Sequence, residues 1–530
     1  MSGLNVPEVV NPMRAQFDSG RTRSYTWRVE ALKQAKKMVT ERSDQLAAAL
    51  ASDLGKTTEE ATITEMSVVL HEIDEALANL KEWMKPVQRP SPGVAMPCYS
   101  EVRQEPRGVV LVISPFNYPV SLALGPMVSA ITGGNVCVIK PSELCPSVSS
   151  CIKRIVGEYF PGGGTISVVE GGIPENTALM AQPWDLVFFT GSGRVGKIIA
   201  RAAADTLTPV VLELGGKSPV VVDKDLPDLT TMANRIAWGK TINAGQTCVA
   251  PDYMVCHKDQ VENVSKAIVS RLDFMFGKDP SQSDFSRIVS TQHAQRLYDM
   301  IVEAEKGGAQ VLCGGSAKCD PTNKYIAPTV IAKAPKGSRV LTEEIFGPIL
   351  VIREVDDMSQ AIQTVNDMEG TPLAIYIFTS NKAVCDKVLD RCPSGGAIRN
   401  DVLLHFAANL PFGGLGTSGY GNAHSDWSWR TFTHERAFMF KPCHPAFEFG
   451  DIRYAPYAKY GGNSGKAFIA LIKLLPNIPV LNTRLIWTSI GMVGVGYGMA
   501  AFGPAGVRTG LADLIDSASG VLRSVAAGLR

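Results

Sequence analysis

The sequence lacks the cysteine pattern of a disulfide scaffold or of a zinc ribbon. It has 11 cysteines, an odd number, and no two of them form a C-x-x-C pair. Small secreted domains use even sets of paired cysteines, and zinc ribbons use two C-x-x-C pairs. The sequence therefore predicts reduced thiols in a reducing compartment, most of them buried and structural.

The sequence also lacks an excess of positive or negative charge. The 530 residues include 52 Lys and Arg against 51 Asp and Glu, which gives a net charge of +1. Binding to nucleic acid relies on an excess of basic groups that neutralise phosphates, so we expect no nucleic-acid partner. Hydrophobic residues make up 45% of the chain, which is enough for a large core and excludes wholesale disorder.

A long uncharged run lies near the end of the chain. Residues 1–24 contain no apolar segment and carry Glu8 and Asp18, a pattern that does not predict a secretory signal. Residues 485–507 contain no charged side chain and reach the roughly 20 residues that cross a bilayer. We expect a transmembrane helix there, in a C-terminal tail of residues 441–530, or alternatively a glycine-rich helix packed on a protein partner. Basic residues before this segment predict that the rest of the chain faces the cytosol, at a membrane that the sequence does not identify.

Between these ends, short apolar strands alternate with helices. Residues 25–85 have helical periodicity, and then strands such as "GVVLVISP", "NVCVIKPSE" and "DLVFFTGSG" alternate with amphipathic helices. This pattern predicts an α/β fold with a doubly wound parallel sheet. Residues 215–405 repeat the alternation with new strands, which predicts a second α/β domain.

The stretch "FTGSGRVGKII" contains a G-x-G-x-x-G motif formed by Gly191, Gly193 and Gly196. The motif follows a predicted strand and opens a predicted helix, whose first N–H groups can bind phosphate. With 49 glycines in the chain, the spacing alone is a weak signal, and its context carries the prediction of a dinucleotide site. A simple fingerprint would then assign Glu213, which lies further along the chain, to the ribose hydroxyls.

Several polar residues follow the predicted strands. In "VIKPSE", Lys140 and Glu143 could hold ribose hydroxyls or form a solvated loop pair. In "SPFNYP", Asn117 lies between two prolines and could donate to an oxyanion or simply form a turn. Cys248, in "NAGQTCVAPDY", could be a nucleophile, a metal ligand, half of a disulfide or a small core residue. Glu213 ends a strand in "LELGGKSP" and could act as a general base.

Eight ordered motifs together resemble the aldehyde dehydrogenase superfamily. They are "SPFNYP", "VIKPSE", "FTGSGRVGKII", "LELGGKSP", "NAGQTCVAPDY", "EEIFGP", "NDVLLH" and "LPFGGLGTSGYG". The resemblance covers about residues 10–440, and "CVAPDY" together with the hydrophobic tail is similar to the class-three and fatty aldehyde dehydrogenase branch.

The resemblance implies three catalytic roles. Cys248 is expected to attack the aldehyde carbonyl, and Asn117 with the backbone N–H of Cys248 to hold the resulting oxyanion. Glu213 is expected to activate the water that hydrolyses the thioester, which replaces the ribose role offered by the glycine fingerprint. The chemistry agrees, because a thiolate is both a strong nucleophile and a competent leaving group.

The resemblance also implies a cofactor, NAD with NADP possible, and no catalytic metal. The residues expected to bind it are Lys140 and Glu143 at the adenosine ribose, Gly191, Ser192 and Gly196 at the pyrophosphate, and Glu344 and Phe346 at the nicotinamide ribose and ring. We expect a Rossmann-like NAD-binding domain from residues 1–85 and 108–213 and a catalytic domain from residues 214–405. Residues 86–107 and 406–440 are expected to form a small β oligomerisation arm.

These expectations describe a membrane-bound homodimer that oxidises long-chain or other apolar aldehydes to carboxylic acids. One alternative is a catalytically idle scaffold of the same fold in a membrane assembly. A second is a thiol hydrolase that pairs Cys248 with His257 or His405. Arg399, in "GAIRND", departs from the branch pattern, and we expect it near the substrate mouth, where it would favour an acidic head group.

Overall fold

The computed structural model describes residues 5–91, 98–407 and 409–443. The helices are α1 Val6–Asp18, α2 Tyr25–Glu41, α3 Ser43–Leu54, α4 Thr58–Ala61, α5 Ser67–Trp83, α6 Ser121–Gly133, α7 Pro146–Tyr159, α8 Ile173–Met180, α9 Gly193–Ala204, α10 Leu229–Thr241, α11 Lys258–Phe276, α12 Thr291–Lys306, α13 Arg339–Thr342, α14 Met358–Asn366, α15 Lys382–Arg391 and α16 Ser425–Thr431. Across the described ranges, we find no helix with both the length and the apolar character of a membrane span. The predicted transmembrane helix at 485–507 lies outside the described residues.

The strands form three sheets. They are β1 Val87–Arg89, β2 Tyr99–Pro106, β3 Val109–Ile113, β4 Val136–Lys140, β5 Ile166–Val168, β6 Leu186–Thr190, β7 Val210–Glu213, β8 Pro219–Val222, β9 Tyr253–His257, β10 Gln310–Cys313, β11 Thr329–Ala332, β12 Ile349–Val355, β13 Ala374–Phe378, β14 Gly396–Arg399, β15 Gly419–Tyr420 and β16 Thr433–Phe440. The predicted α/β fold with doubly wound sheets is confirmed.

The first sheet has the strand order β15-β7-β6-β3-β4-β5, and all its strands except β15 are parallel. Every residue of β3 and β4 is buried, because helices cover both faces of a parallel sheet. The alternation along β3 shows this directly. Val110 and Val112 belong to one apolar cluster, and Val109, Leu111 and Ile113 belong to another.

The strand order of the first sheet creates a ligand-binding edge. The chain runs from β3 through α6 to β4 on one side, and from β6 through α9 to β7 on the other. Because β3 and β6 are neighbours, their crossovers diverge, and a crevice forms outside the carboxyl ends of these two strands.

The second sheet has the order β10-β11-β12-β9-β8-β13-β14, in which only β10 runs antiparallel to its neighbour. Residues 214–218 join the carboxyl end of β7 to the amino end of β8. The carboxyl edge of the first sheet is therefore connected directly to the amino edge of the second.

The contacts divide the described residues into two units, those of 5–85 with 103–436, and those of 86–91 and 98–102 with 437–443. Both large sheets lie in the first unit. In the second unit, β1 pairs antiparallel with β2, with Val87 opposite Val102, and the ring of Tyr99 lies 5.5 Å from that of Phe440. The oligomerisation role of this arm stays a prediction, as do the functions assigned to the two α/β domains.

Candidate active site

Cys248 lies in a tight loop between α10 and β9, at the amino edge of the second sheet. The preceding residues Asn243, Ala244 and Gly245 all have positive φ angles, of 53°, 50° and 73°. Such a run is unfavourable for residues with a Cβ, and strained backbone of this kind concentrates at functional sites. The buried Tyr376 hydroxyl donates a hydrogen bond to the carbonyl of Val249, which fixes the residue after the cysteine.

The thiol of Cys248 is protonated in this environment. Burial raises its pKa to about 12, and the negative charges of Glu344 and Glu213 act in the same direction. The backbone N–H groups of Cys248 and Val249 oppose this shift. The thiol therefore reacts only where a base accepts its proton during attack.

Glu213 ends β7 with a carboxylate that is buried and unpaired. Neither carboxylate oxygen has a hydrogen-bond partner among the described residues, and burial raises the pKa of this group well above its ordinary value. Its backbone is held firmly, because Gly191 N–H donates to the Glu213 carbonyl at 3.0 Å and Gly419 of β15 lies opposite it. A carboxyl group with a raised pKa is suited to general base catalysis near neutral pH.

Asn117 lies in the loop between β3 and α6. Its carbonyl accepts a hydrogen bond from Asn243 Nδ2 at 2.7 Å and another from Lys56 Nζ at 3.3 Å. The next residue, Tyr118, shares a 2.6 Å hydroxyl–hydroxyl hydrogen bond with Thr247, which directly precedes Cys248. The Asn117 loop and the Cys248 loop are therefore tied together at two points.

A cavity of about 450 Å³ brings Cys248 and Glu213 together, because both line it. Its remaining walls are mostly apolar, and no lysine or arginine is found among the described residues that line it. Polar groups cluster at His71, Glu72, Glu75 and His424, where the Glu72 carboxylate lies 2.7 Å from the His424 ring. The apolar lining residues are Ile63, Val68, Leu122, Pro126, Phe188, Leu214, Trp238, Ile242, Val249, Leu373, Leu403, Leu404, Phe406, Ala407, Phe412, Ala423 and Phe432.

The glycine motif lies at the crevice of the first sheet, between β6 and α9. Ser192 is the N-cap of α9, and its hydroxyl accepts from Val195 N–H at 3.4 Å. A Cβ on Gly196 would lie 2.8 Å from a methyl carbon of Leu214, so this glycine permits close packing of the helix on the sheet. Gly191 packs against the ring of Phe189 with no room for a side chain. The helix N-terminus is therefore positioned at the sheet edge, where it can bind a pyrophosphate.

Lys140 and Glu143 lie at the carboxyl end of β4, which pairs with β3 on the side away from β6. Lys140 is buried and donates to the Pro141 carbonyl at 2.7 Å and to the exposed Glu143 carboxylate at 3.1 Å. An ammonium and a carboxylate held together at this edge match the hydroxyls of a ribose.

Glu344 and Phe346 precede β12, at the same amino edge as Cys248. The Glu344 carboxylate accepts from Gly216 N–H at 2.9 Å, and burial raises its pKa to about 7. Phe346 has a φ of 52°, and its ring meets that of Phe116 edge-on at 5.7 Å. The donor and acceptor groups around this crevice therefore fit a dinucleotide.

Comparison with known proteins decides the family. The model of the aldehyde dehydrogenase family matches residues 3–438.

The chain belongs to the aldehyde dehydrogenase family.

Its relatives extend over most of its length. The chain is 40% identical to aldehyde dehydrogenase family 3 member H1 of Arabidopsis thaliana, over 85% of this chain and 92% of the relative. It is also 40% identical to a dog enzyme named dimeric NADP-preferring aldehyde dehydrogenase, over 82% and 95% of the two chains. These relatives confirm the predicted resemblance to class-three aldehyde dehydrogenases.

Solved structures agree with this assignment. A substrate-bound Staphylococcus aureus AldH is similar with a TM-score of 0.83 and 37% identity, over 88% of this chain and 99% of that one. A Mycobacterium tuberculosis aldehyde dehydrogenase complexed with NAD⁺ has a TM-score of 0.74 and 27% identity, over 82% and 90%. The chain is therefore an aldehyde dehydrogenase enzyme, and the predicted cofactor class, NAD or NADP, is confirmed.

The alternative of a thiol hydrolase finds no support in the geometry of this aldehyde dehydrogenase. His257 ends β9, whereas Cys248 lies before the start of that strand, so the two residues lie at opposite ends of it. His405 packs between the rings of Tyr376 and Phe412, and burial lowers its pKa to about 4. Neither histidine forms a hydrogen bond with Cys248 among the described residues.

The expectation for Arg399 is wrong. Its guanidinium donates to the carbonyls of Thr379 at 3.2 Å and Ser380 at 2.7 Å, and it is not among the residues that line the cavity.

Asn117 is not among the residues that line the cavity either. Its link to the site is therefore through its loop and not through the cavity wall.

Sequence analysis missed a buried ion pair that supports Glu344. Lys217 pairs with Asp252, and it also donates to the carbonyl of Glu343 at 2.7 Å. Asp252 in turn accepts from Ile345 N–H at 2.8 Å. Both charged residues stand inside the quoted motifs "LELGGKSP" and "CVAPDY", beside apolar strands, and that position is the signal that could have identified them.

Proposed function

We propose that this enzyme oxidises long-chain or other apolar aldehydes to carboxylic acids through a thiohemiacetal and then a thioester on Cys248. The observation that carries the proposal is the apolar cavity that Cys248 and Glu213 share. Apolar substrate surface gains free energy when it leaves water for such a cavity. A relative that is 40% identical is named 4,4'-diaponeurosporen-aldehyde dehydrogenase.

In the first half of the reaction, the sulfur of Cys248 attacks the aldehyde carbon. Glu213, which shares the cavity, accepts the thiol proton and later returns it to solvent. The amide of Asn117 and the backbone N–H of Cys248 stabilise the oxyanion that attack creates. A bound nicotinamide cofactor would supply the hydride acceptor, and loss of hydride from the thiohemiacetal carbon leaves a thioester on Cys248.

In the second half, Glu213 accepts a proton from water. The resulting hydroxide attacks the thioester carbon, the bond from that carbon to the sulfur of Cys248 breaks to release the acid, and the proton held by Glu213 passes to the departing sulfur. The cofactor is held by the residues that surround the crevice of the first sheet. They are Lys140, Glu143, Gly191, Ser192, Gly196, Glu344 and Phe346.

A chain-length series tests the substrate class. Each methylene that enters an apolar cavity contributes about 0.8 kcal/mol, which corresponds to a roughly fourfold gain in kcat/KM. We expect kcat/KM to rise from butanal to decanal and to fall for aldehydes of equal length that end in a carboxylate, since Glu72 and Glu75 line the cavity and would repel them. The measurement is NAD(P)H absorbance, and equal kcat/KM for short and long aldehydes would refute the proposal.

We also propose that the enzyme is a homodimer held at a membrane by residues 441–530, with its catalytic body in the cytosol. The relative named as dimeric and the uncharged run at residues 485–507 support this. The full chain is expected to sediment with vesicles and a chain that ends at residue 443 to remain in the supernatant. Equal sedimentation of the two would refute the role of the tail.

A further inference from the structure

Lys56 and Glu65 form an ion pair beneath the Asn117 loop. Both side chains have no exposed surface, and Lys56 Nζ lies 2.6 Å from a carboxylate oxygen of Glu65. Removing two charges from water costs free energy that a single contact seldom repays. Stability alone is therefore a poor explanation for this pair.

Glu65 holds one end of the Asn117 loop. One of its carboxylate oxygens accepts from Val120 N–H at 3.1 Å and from Ser121 N–H at 2.9 Å, where α6 begins. These N–H groups have no partner within the helix, and negative charge is favourable at a helix N-terminus. Glu65 therefore fixes the point at which the loop enters α6.

Lys56 holds the middle of the same loop. Its ammonium donates to the carbonyl of Asn117 at 3.3 Å and lies 4.3 Å from the centre of the Tyr118 ring. Asn243 holds the same carbonyl from the other side. No described residue forms a hydrogen bond with the side-chain amide of Asn117, so its backbone is fixed while the amide is left for another partner.

The local fold directs Glu65 inward. It lies in a π-helical turn, Thr62–Met66, between α4 and α5, and such turns are frequent at functional sites. Ile63 and Thr64 of the same turn line the cavity. One short segment therefore contributes both to the wall of the cavity and to the support of the Asn117 loop.

We propose that Lys56 and Glu65 are a positioning pair that sets the Asn117 amide for the oxyanion formed when Cys248 attacks. The inference rests on the role of Asn117 in the proposed function. A hydrogen-bond donor stabilises an oxyanion only at the correct distance, and a displacement of about 1 Å can cost about 100-fold in rate. Neither side chain is exposed to solvent or lines the cavity, so the pair acts through Asn117.

A neutral version of the pair, Lys56→Met combined with Glu65→Gln, provides the test. The glutamine oxygen can still accept from the α6 N–H groups, whereas the hydrogen bond to the Asn117 carbonyl is lost. We expect the first-turnover rate of NADH formation from decanal to fall about 10-fold, with the Kd for NADH unchanged. Combined with Asn117→Ala, which alone is expected to cost about 100-fold, the neutral pair should produce no further loss.

A second variant and a matched control complete the experiment. Lys56→Met alone keeps the Glu65 carboxylate with its two N–H donors at the start of α6, and it serves if the neutral pair fails to fold, with a loss that also disappears after Asn117→Ala. Arg14 and Asp185 form a 3.0 Å ion pair whose carboxylate also accepts a backbone N–H, from Val109. Arg14→Met combined with Asp185→Asn should leave the first-turnover rate unchanged.

The outcomes separate the two proposals. An unchanged rate in the neutral pair, or the same loss with and without Asn117→Ala, overturns the positioning role and leaves the proposed function intact. An unchanged rate for Asn117→Ala alone overturns the oxyanion role of Asn117, and the positioning role falls with it.

Discussion

Cys248 and Glu213 line one cavity in which burial raises the pKa of both side chains. A buried carboxylate without a partner costs free energy, and a protonated thiol is a poor nucleophile. The two groups are complementary, because the carboxylate can accept the proton that the thiol must lose. At the scale of residues, the site thus gives up stability for reactivity, as enzyme sites commonly do.

Glu344 offers a direct test of the electrostatics around Cys248. Its charge is the largest contribution after burial to the raised pKa of the thiol, and its own pKa of about 7 leaves it ionised at pH 9. Glu344→Gln removes this charge, so the pKa of Cys248 should fall. We expect alkylation of Cys248 by iodoacetamide at pH 9, without cofactor, to accelerate about threefold. This factor corresponds to a fall of about half a unit in the pKa of Cys248. A slower or unchanged rate would contradict the account, and the exposed Cys443 provides the reference thiol within the same chain.

The sequence predicted the chemistry of single residues better than it predicted the residues that hold them in position. Cys248 and Glu213 stand in recognisable motifs, and the structure brings them into one cavity. Lys56 and Glu65 stand in a stretch whose charges are typical of a solvated helix. Glu65 is buried in the π-helical turn, and no hydrophobic periodicity of the sequence reveals that turn.

At the scale of elements, the contact between α9 and the first sheet determines whether the helix N-terminus reaches the cofactor. Gly196→Ala would place a Cβ 2.8 Å from Leu214 and push the helix away from the sheet. We expect the Kd for NADH to rise about 10-fold, because the N–H groups of the helix then miss the pyrophosphate. Fluorescence titration of NADH measures this change.

Gly157, inside α7, is the matched control for that substitution. A Cβ there would meet no atom within 4 Å, so Gly157→Ala should leave the Kd unchanged and stabilise its helix slightly. Equal Kd values for both variants would show that close packing at Gly196 is unimportant for cofactor binding.

Elements with a strong apolar pattern were predictable, and those defined by tertiary pairing were not. The buried strands β3, β4 and β6 follow from runs of Val, Ile, Leu and Phe. β15 comprises only Gly419 and Tyr420 in a glycine-rich stretch, and it exists because it pairs with β7 at Glu213. No local pattern could indicate that pairing.

At the scale of the whole chain, the two large sheets are joined so that opposite strand ends share one site. Glu213 comes from the carboxyl edge of the first sheet, and Cys248 and Glu344 from the amino edge of the second. The rule that ligands bind at carboxyl ends predicts the cofactor crevice. The contribution of the amino edge depends on the short connection from β7 to β8, which the motifs alone do not reveal.

The central claim is that Cys248 carries an acyl group that Glu213 releases. The most direct test is the intact mass of Glu213→Gln after mixing with NAD and decanal. We predict slow formation of one NADH per subunit, since the thiol proton must then pass to water, and a decanoyl adduct on Cys248, because loss of the base slows deacylation by the larger factor, about 100-fold or more. In the unmodified enzyme deacylation should slow as the pH falls through the raised pKa of Glu213, and this pH dependence should be absent in the variant. Continued turnover of Glu213→Gln at the full rate, without an adduct on Cys248, would contradict the account.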